Sequence, residues 1–177
     1  MILCIHELSF IKNKYSLDLN VFQKLTKNFP KAELHFDDGR RGILMLEKPY
    51  LQNIASRSTL FLVPNFIKGL VPKHENWSNF LNIKEIRKLV KLGFSIGSHS
   101  LAHHNLTNMD NEEILKDLRR SREWLEAYFK VEVIKFAYPY GAVNERIASI
   151  AESIYKKCYS LNSPLGITRT LVERQIQ

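Results

Sequence analysis

The stretch ELHFDDGRRG, residues 33–42, frames the reading of the whole chain. An apolar run ends in two adjacent carboxylates, Asp37 and Asp38, followed by Gly39. Adjacent like charges repel, and a carboxylate taken out of water without a partner is expensive. Where a strand ends, the backbone turns sharply and neighbouring side chains can diverge. A cation would offset the repulsion, so its other ligands are to be sought at other strand ends.

Outward from this strand, apolar β-branched runs alternate with helical patterns. Strands are predicted over residues 1–5, 32–36, 59–63, 94–96, 131–137 and 158–161, with 169–176 a further candidate. Helices are predicted over 19–28 with Asp18 as N-cap, and over 43–54, where Pro49 starts or kinks the element. A third spans 83–92 between the cap Asn82 and the stop Gly93. The strongest, 111–129, opens on a capping box of Asp110 and Glu113, and a last one spans 144–157. Strand–helix alternation without a glycine-rich phosphate loop predicts an α/β fold with a parallel sheet closing as a barrel. Since eight (β/α) units usually take ~250 residues, a chain of 177 residues is expected to form an irregular, incomplete (β/α) barrel of about seven strands. Residues 1–177 read as one domain. The longest irregular loop, 68–82, is a candidate wall of a site.

Composition narrows the class. With 45% hydrophobic and 25% charged residues the chain is globular. No apolar run approaches ~18 residues, so no transmembrane helix is expected. The opening MILCIHELSF has no basic leader region and breaks at His6 and Glu7, which reads as a strand. That points to the cytoplasm, or to the periplasm or cell surface if a leader was removed. The net charge of +8 comes from scattered Lys and Arg. Without an aromatic-interleaved basic stripe these read as solvated helix faces, and no nucleic acid partner is expected. Cys4 and Cys158 sit in apolar runs and read as reduced core residues; a disulfide would require their strands to be neighbours.

Three polar clusters fall at strand ends: His35 to Gly39, Ser98 to His104, and Tyr138-Pro139-Tyr140-Gly141. In a parallel α/β barrel those ends converge on the functional face. His99 and His103 are four apart, a spacing that one helical turn would place on one side. Two imidazoles and a carboxylate make a three-ligand zinc site with an open position. One aspartate would then bind the metal while the other faces the bound water as a base.

FDDG, HSxxH and YPYG in this order resemble the polysaccharide deacetylases, the NodB-homology fold of carbohydrate esterase family 4. The resemblance runs over about residues 29–161. It implies that Asp37 is the general base, that Asp38, His99 and His103 bind a divalent metal, usually zinc, and that the Tyr140 N–H helps hold the oxyanion. Tyr138 and Tyr140 would line the acetyl pocket beside Pro139, with at least one of the two tyrosines expected to pack structurally. The reaction implied is removal of the N-acetyl group from an amino sugar, with an N-acetylated glycan as partner.

The chain departs from that pattern in three places. The third motif usually carries an arginine that braces the base, and here that position is Ala137. The late tryptophan motif is absent, and no histidine follows His104 to supply the general acid. The poly-N-acetylglucosamine deacetylase branch looks rearranged, with its acid histidine on an N-terminal strand. ILCIHEL puts His6 at such a strand end, so His6 is expected as the acid. Two other readings stay open: a glycan-binding domain with weak or no activity, and a metal amidohydrolase acting on a lipid- or nucleotide-linked sugar or another small amide. Of the remaining residues, His35 is expected to point away from the metal, His104 to be a wall or solvent residue, and Trp77 and Phe80 to cover the core.

Overall fold

The computed structural model describes residues 1–9, 16–161, 163 and 165–171. In chain order the elements are β1 (Ile2–Ile5), β2 (Glu7–Ser9), β3 (Ser16–Asp18), α1 (Leu19–Asn28), β4 (Glu33–Phe36), α2 (Lys48–Ile54), β5 (Ser58–Leu62) and α3 (Pro64–Ile67). They continue with α4 (Ile83–Lys91), β6 (Ser95–Ser98), α5 (Asn111–Phe129), β7 (Lys135–Ala137), α6 (Glu145–Glu152), β8 (Lys157–Leu161) and β9 (Ile167–Leu171). Seven strands close into a parallel barrel in the order β1-β4-β5-β6-β7-β8-β9, and β2 pairs with β3 beside it. The expected barrel of about seven strands is what forms. It is short of eight strands, but the ring is shut where β9 meets β1 through Leu3↔Thr170 and Cys4↔Leu171.

Local signals account for the helices. Asp18 accepts hydrogen bonds from the Asn20 and Val21 N–H groups at the start of α1. Asn82 with Glu85, and Asp110 with Glu113, form reciprocal capping boxes on α4 and α5. Each such cap is worth about 1 kcal/mol. Pro49 lies in the first turn of α2, and the residues before it form a separate 3-10 turn, Arg41–Met45. The helix predicted over 43–54 is thus split, because proline's missing N–H is harmless only in a first turn. The small β2–β3 sheet and α3 had no periodic signal, being three or four residues long. Of the tail predicted over 169–176, β9 takes the residues up to Leu171, and 172–177 lie outside the described residues.

Period-two alternation sorts the strand residues. Leu3, Ile5, Leu34, Phe36, Leu60, Leu62 and Phe136 face the helices and share the main core. Phe61, Ala137 and Tyr159 form a separate cluster inside the ring. His35 joins them, its ring 4.9 Å from Phe61 and 4.7 Å from Tyr159. Gly97 on β6 makes the room: a Cβ there would sit 2.5 Å from the Phe61 ring. Cys4 and Cys158 are buried and unbridged, and β9 stands between their strands, so they cannot pair. No helix among the described residues is long and apolar enough to cross a membrane.

Candidate active site

The two aspartates part company at the end of β4. Asp37 stays in register, its N–H donating to the Ile5 carbonyl at 2.9 Å. Asp38 and Gly39 then adopt left-handed backbone angles, φ 64° and 70°. That turn sends the two carboxylates in different directions. Asp38 Oδ1 is buried without a formed hydrogen bond, 3.5 Å from His99 Nε2 and 3.2 Å from His103 Nε2. Three ligand-type atoms around one point, one of them an orphaned oxygen, are what a divalent cation would complete.

His99 and His103 do not reach this point through a helical turn, as their spacing had suggested. β6 ends at Ser98, and the next residues form a loop in which Ser100 (φ 64°) and His103 (φ 59°) are left-handed. Ser100 Oγ accepts the His103 N–H at 2.8 Å, and Asp117 Oδ1 of α5 accepts the Leu101 N–H at 2.8 Å. Asp117 is buried, and burial raises its pKa. Nδ1 of His99 lies 2.7 Å from the Ala137 carbonyl. A carbonyl only accepts, so Nδ1 carries the proton and Nε2 keeps its lone pair for a ligand. Burial also pushes the His99 pKa down to about 4, which keeps the ring neutral near pH 7. His104 is exposed.

Asp37 is held differently. Arg169 Nη1, from β9, donates to Asp37 Oδ1 at 2.7 Å, and both side chains are buried. The Cys4 thiol donates to Oδ2 at 3.2 Å. His6 Nε2 lies 4.0 Å and His99 Nε2 3.9 Å from the same Oδ2. Burial alone would raise the Asp37 pKa, but the Arg169 guanidinium, with the two imidazoles, holds it well below the usual carboxylate range. Asp38 is likewise held low, burial being outweighed by His103 and its neighbours. Two ionised carboxylates therefore share the mouth of the barrel, one facing the three-ligand pocket and one facing His6. The side chain of His6 is 29% exposed and so open to a substrate.

A family model described as polysaccharide deacetylase matches residues 24–158. The chain belongs to the polysaccharide deacetylase family. A poly-beta-1,6-N-acetyl-D-glucosamine N-deacetylase of Staphylococcus aureus (strain MRSA252) is 27% identical over 153 residues, covering 79% of this chain and 50% of that protein. The putative polysaccharide deacetylase YxkH of Bacillus subtilis (strain 168) is 24% identical over 117 residues, covering 66% of this chain and 39% of that protein. The chain thus spans half or less of these curated relatives. Among solved structures, IcaB from Ammonifex degensii superposes with a TM-score of 0.77 at 17% identity, over 97% of this chain and 90% of that one. PplD from Streptococcus pyogenes, solved with acetate, gives 0.72 at 18% identity, over 96% and 91%. These likenesses show the shared barrel fold.

Against the deacetylase family's pattern, the third motif is where this chain is rebuilt. Ala137, in the position of the family's arginine, lies in the barrel interior against Phe61 and Tyr159. Arg169 enters the same interior from β9, its Cζ 5.4 Å from the Phe61 ring. An interior arginine is costly to bury unless paired, and Asp37 is its partner. The sequence places residue 169 only within a candidate tail strand. A lone basic residue in the alternating run ITRTL was the available signal.

The expected acetyl-pocket role of Tyr138 does not survive. Its side chain is wholly buried on the helix side, packed edge-on to Phe136 at 5.0 Å, as alternation after Ala137 requires. Pro139 is buried and opens the turn Pro139–Gly141. Tyr140 follows with φ 61°, and its exposed ring stands 4.6 Å from His103. His35 was expected to turn away from the metal. It shares Asp37's face, since i and i+2 coincide, but lies one layer deeper, Nε2 3.4 Å from Glu33 Oε2. Phe80 is buried as expected, whereas Trp77 is half exposed. Arg40 is not merely solvated. It forms a two-point bond with Glu75 of the 68–82 loop at 2.6 and 2.9 Å and lies 3.7 Å from Asp38. The loop is thereby tied to the site.

Proposed function

We propose that this chain is a metal-dependent N-deacetylase that hydrolyses the N-acetyl group of amino sugars in a glycan. The observation that carries the reading is Asp37, ionised and braced by Arg169, lying between His6 on one side and the Asp38–His99–His103 set on the other. Asp38, His99 and His103 would hold the metal, and zinc suits one carboxylate with two imidazoles. When bound there, a divalent cation supplies Lewis acidity toward an acetyl carbonyl and makes a nearby water easier to deprotonate.

The remaining work falls to the chain. Asp37 accepts the proton of the attacking water at Oδ2, because Oδ1 is committed to Arg169. His6 donates a proton from Nε2 to the departing amine nitrogen. The Tyr140 N–H, presented by the left-handed turn after Pro139, supports the charge that develops on the carbonyl oxygen. The exposed Tyr140 ring stands beside His103 and offers a wall to the acetyl group or the sugar. Poly-beta-1,6-N-acetyl-D-glucosamine is the polymer named for the Staphylococcus aureus relative, and its transfer to this chain belongs to the same proposal. Residues 1–177 would act as a single catalytic unit.

The Ala137 substitution motivated the reading of an inactive, glycan-binding domain. Arg169 supplies the missing brace, which favours the enzyme. The test is acetate release from N-acetylglucosamine oligomers with added zinc, wild type beside Asp37→Asn, with metal content measured on both. Release by wild type alone, with metal retained in the variant, is expected. Release at the same rate from both would refute the assignment of the base. Failure of both, with oligomer binding intact, would favour the binding domain.

A further inference from the structure

Cys4 has no part in the reaction just described, yet it lies at its centre. Its Sγ is 3.2 Å from Asp37 Oδ2, whereas Arg169 contacts Oδ1. His6 Nε2 approaches the same oxygen at 4.0 Å. Cys4, His6 and Asp37 each offer one ligand atom, and the three atoms lie within 4.8 Å of one another. We propose that these residues form a second metal site, distinct from Asp38–His99–His103, and that a cation there switches the enzyme off.

Three considerations define the site. First, the spacing fits. Tetrahedral bonds of about 2.0–2.3 Å place ligand atoms roughly 3.3–3.8 Å apart, so the trio needs to move little. Second, the donors are soft and borderline, one sulfur, one imidazole and one carboxylate oxygen. That set selects zinc or cobalt(II) and disfavours magnesium and calcium, which take oxygen ligands. On binding, the Cys4 thiol gives its proton to solvent and coordinates as thiolate. Third, charge sets the order of filling. The second cation sits one side chain away from the first and beside the Arg169 guanidinium, so it binds more weakly and only when metal is in excess.

The functional consequence rests on the reading of Asp37 as base and His6 as acid. A cation on Asp37 Oδ2 and His6 Nε2 removes the two atoms that accept and donate the protons. Excess zinc then stops turnover without displacing the first metal. The thiol thereby gives the enzyme an upper limit of zinc concentration for activity.

The experiment is a cobalt(II) titration of the metal-free protein, followed by stoichiometry and near-ultraviolet absorption, with a zinc titration of acetate release alongside. Two equivalents are expected, with sulfur-to-cobalt charge-transfer absorption growing in only with the second. Cys4→Ser should bind one equivalent tightly without that absorption, while Cys158→Ser keeps it. Relative to each protein's own uninhibited rate, the zinc concentration for half-inhibition should rise by about tenfold or more in Cys4→Ser, the scale set by weakening a metal's surroundings. A wild-type stoichiometry that stays at one, or absorption that persists in Cys4→Ser, would overturn the site. The optical titration needs no turnover, so it reads the second site even if the chain proves not to be a deacetylase.

Discussion

Arg169 and Asp37 meet at 2.7 Å across 132 positions of sequence, and both are closed off from solvent. The contact joins the last described strand to the fourth through the interior of the barrel. It puts a positive charge in the barrel interior beside Phe61, where Ala137 also lies. Removing one partner of a buried pair leaves the other uncompensated, at about 3–5 kcal/mol. Arg169→Met should therefore lower stability by that order in denaturant unfolding. With the guanidinium gone, burial dominates and the Asp37 pKa rises. The acidic limb of kcat/KM should then move to higher pH. Arg169→Lys should recover part of both losses, and an unmoved limb in Arg169→Met would show that the contact does not tune the base.

His6 can be separated from Asp37 by leaving group. An amine needs a proton to depart, whereas an activated aryl acetate does not. His6→Asn should reduce amide hydrolysis about 10²–10⁴-fold, the usual share of a general acid. It should leave aryl acetate hydrolysis far less affected, while Asp37→Asn lowers both. Equal losses of His6→Asn on the two substrates would point to a packing role.

Ser100 presents His103 through the 2.8 Å bond from the His103 N–H. Ser100→Ala removes the acceptor and frees the turn, and metal affinity should fall about tenfold. Isothermal titration with zinc reads this directly. An unchanged affinity would mean that the two left-handed residues hold the loop unaided.

His35 makes stability sensitive to acid. Burial among Phe61 and Tyr159, helped by the Arg169 charge, lowers its pKa from 6.5 to about 3. The folded state therefore resists a proton that the unfolded chain takes up below 6.5. The stability tied to His35 is fully present above that pH and is lost as pH falls toward 3. Between pH 6.5 and 5 the loss is about 2 kcal/mol. His35→Phe should remove that share of the slope, measured as unfolding free energy against pH. A variant with the wild-type slope would place the acid sensitivity elsewhere.

Gly97→Ala tests the packing that closes the barrel interior. Its Cβ would press on the Phe61 ring at 2.5 Å, and overpacking of this kind costs about 1–3 kcal/mol. Thermal unfolding of the variant checks it, and a melting point equal to wild type would show that Phe61 can give way.

What the sequence alone determined lies in short-range chemistry. Asp18, Asn82 and Asp110 announce their helices because a cap bonds groups only two or three residues away. The alternation of strand and helix announces the barrel. FDDG and HSxxH announce the site, since a carboxylate pair and two histidines at strand ends have few other uses. Tertiary structure alone decided which groups complete the site. Barrel closure sets β9 against β1 and so brings Arg169 to Asp37, while the pairing of β1 with β4 brings Cys4 there, contacts that no local period encodes. The same closure turns Tyr138 outward and His35 inward, because the side of a strand that faces the lumen is settled only when the ring shuts. The left-handed residues Asp38, Ser100, His103 and Tyr140 belong here too. An L-residue is held in that region by surrounding contacts, which for the Ser100–His103 loop include the Ser100 hydroxyl within it and Asp117 of α5.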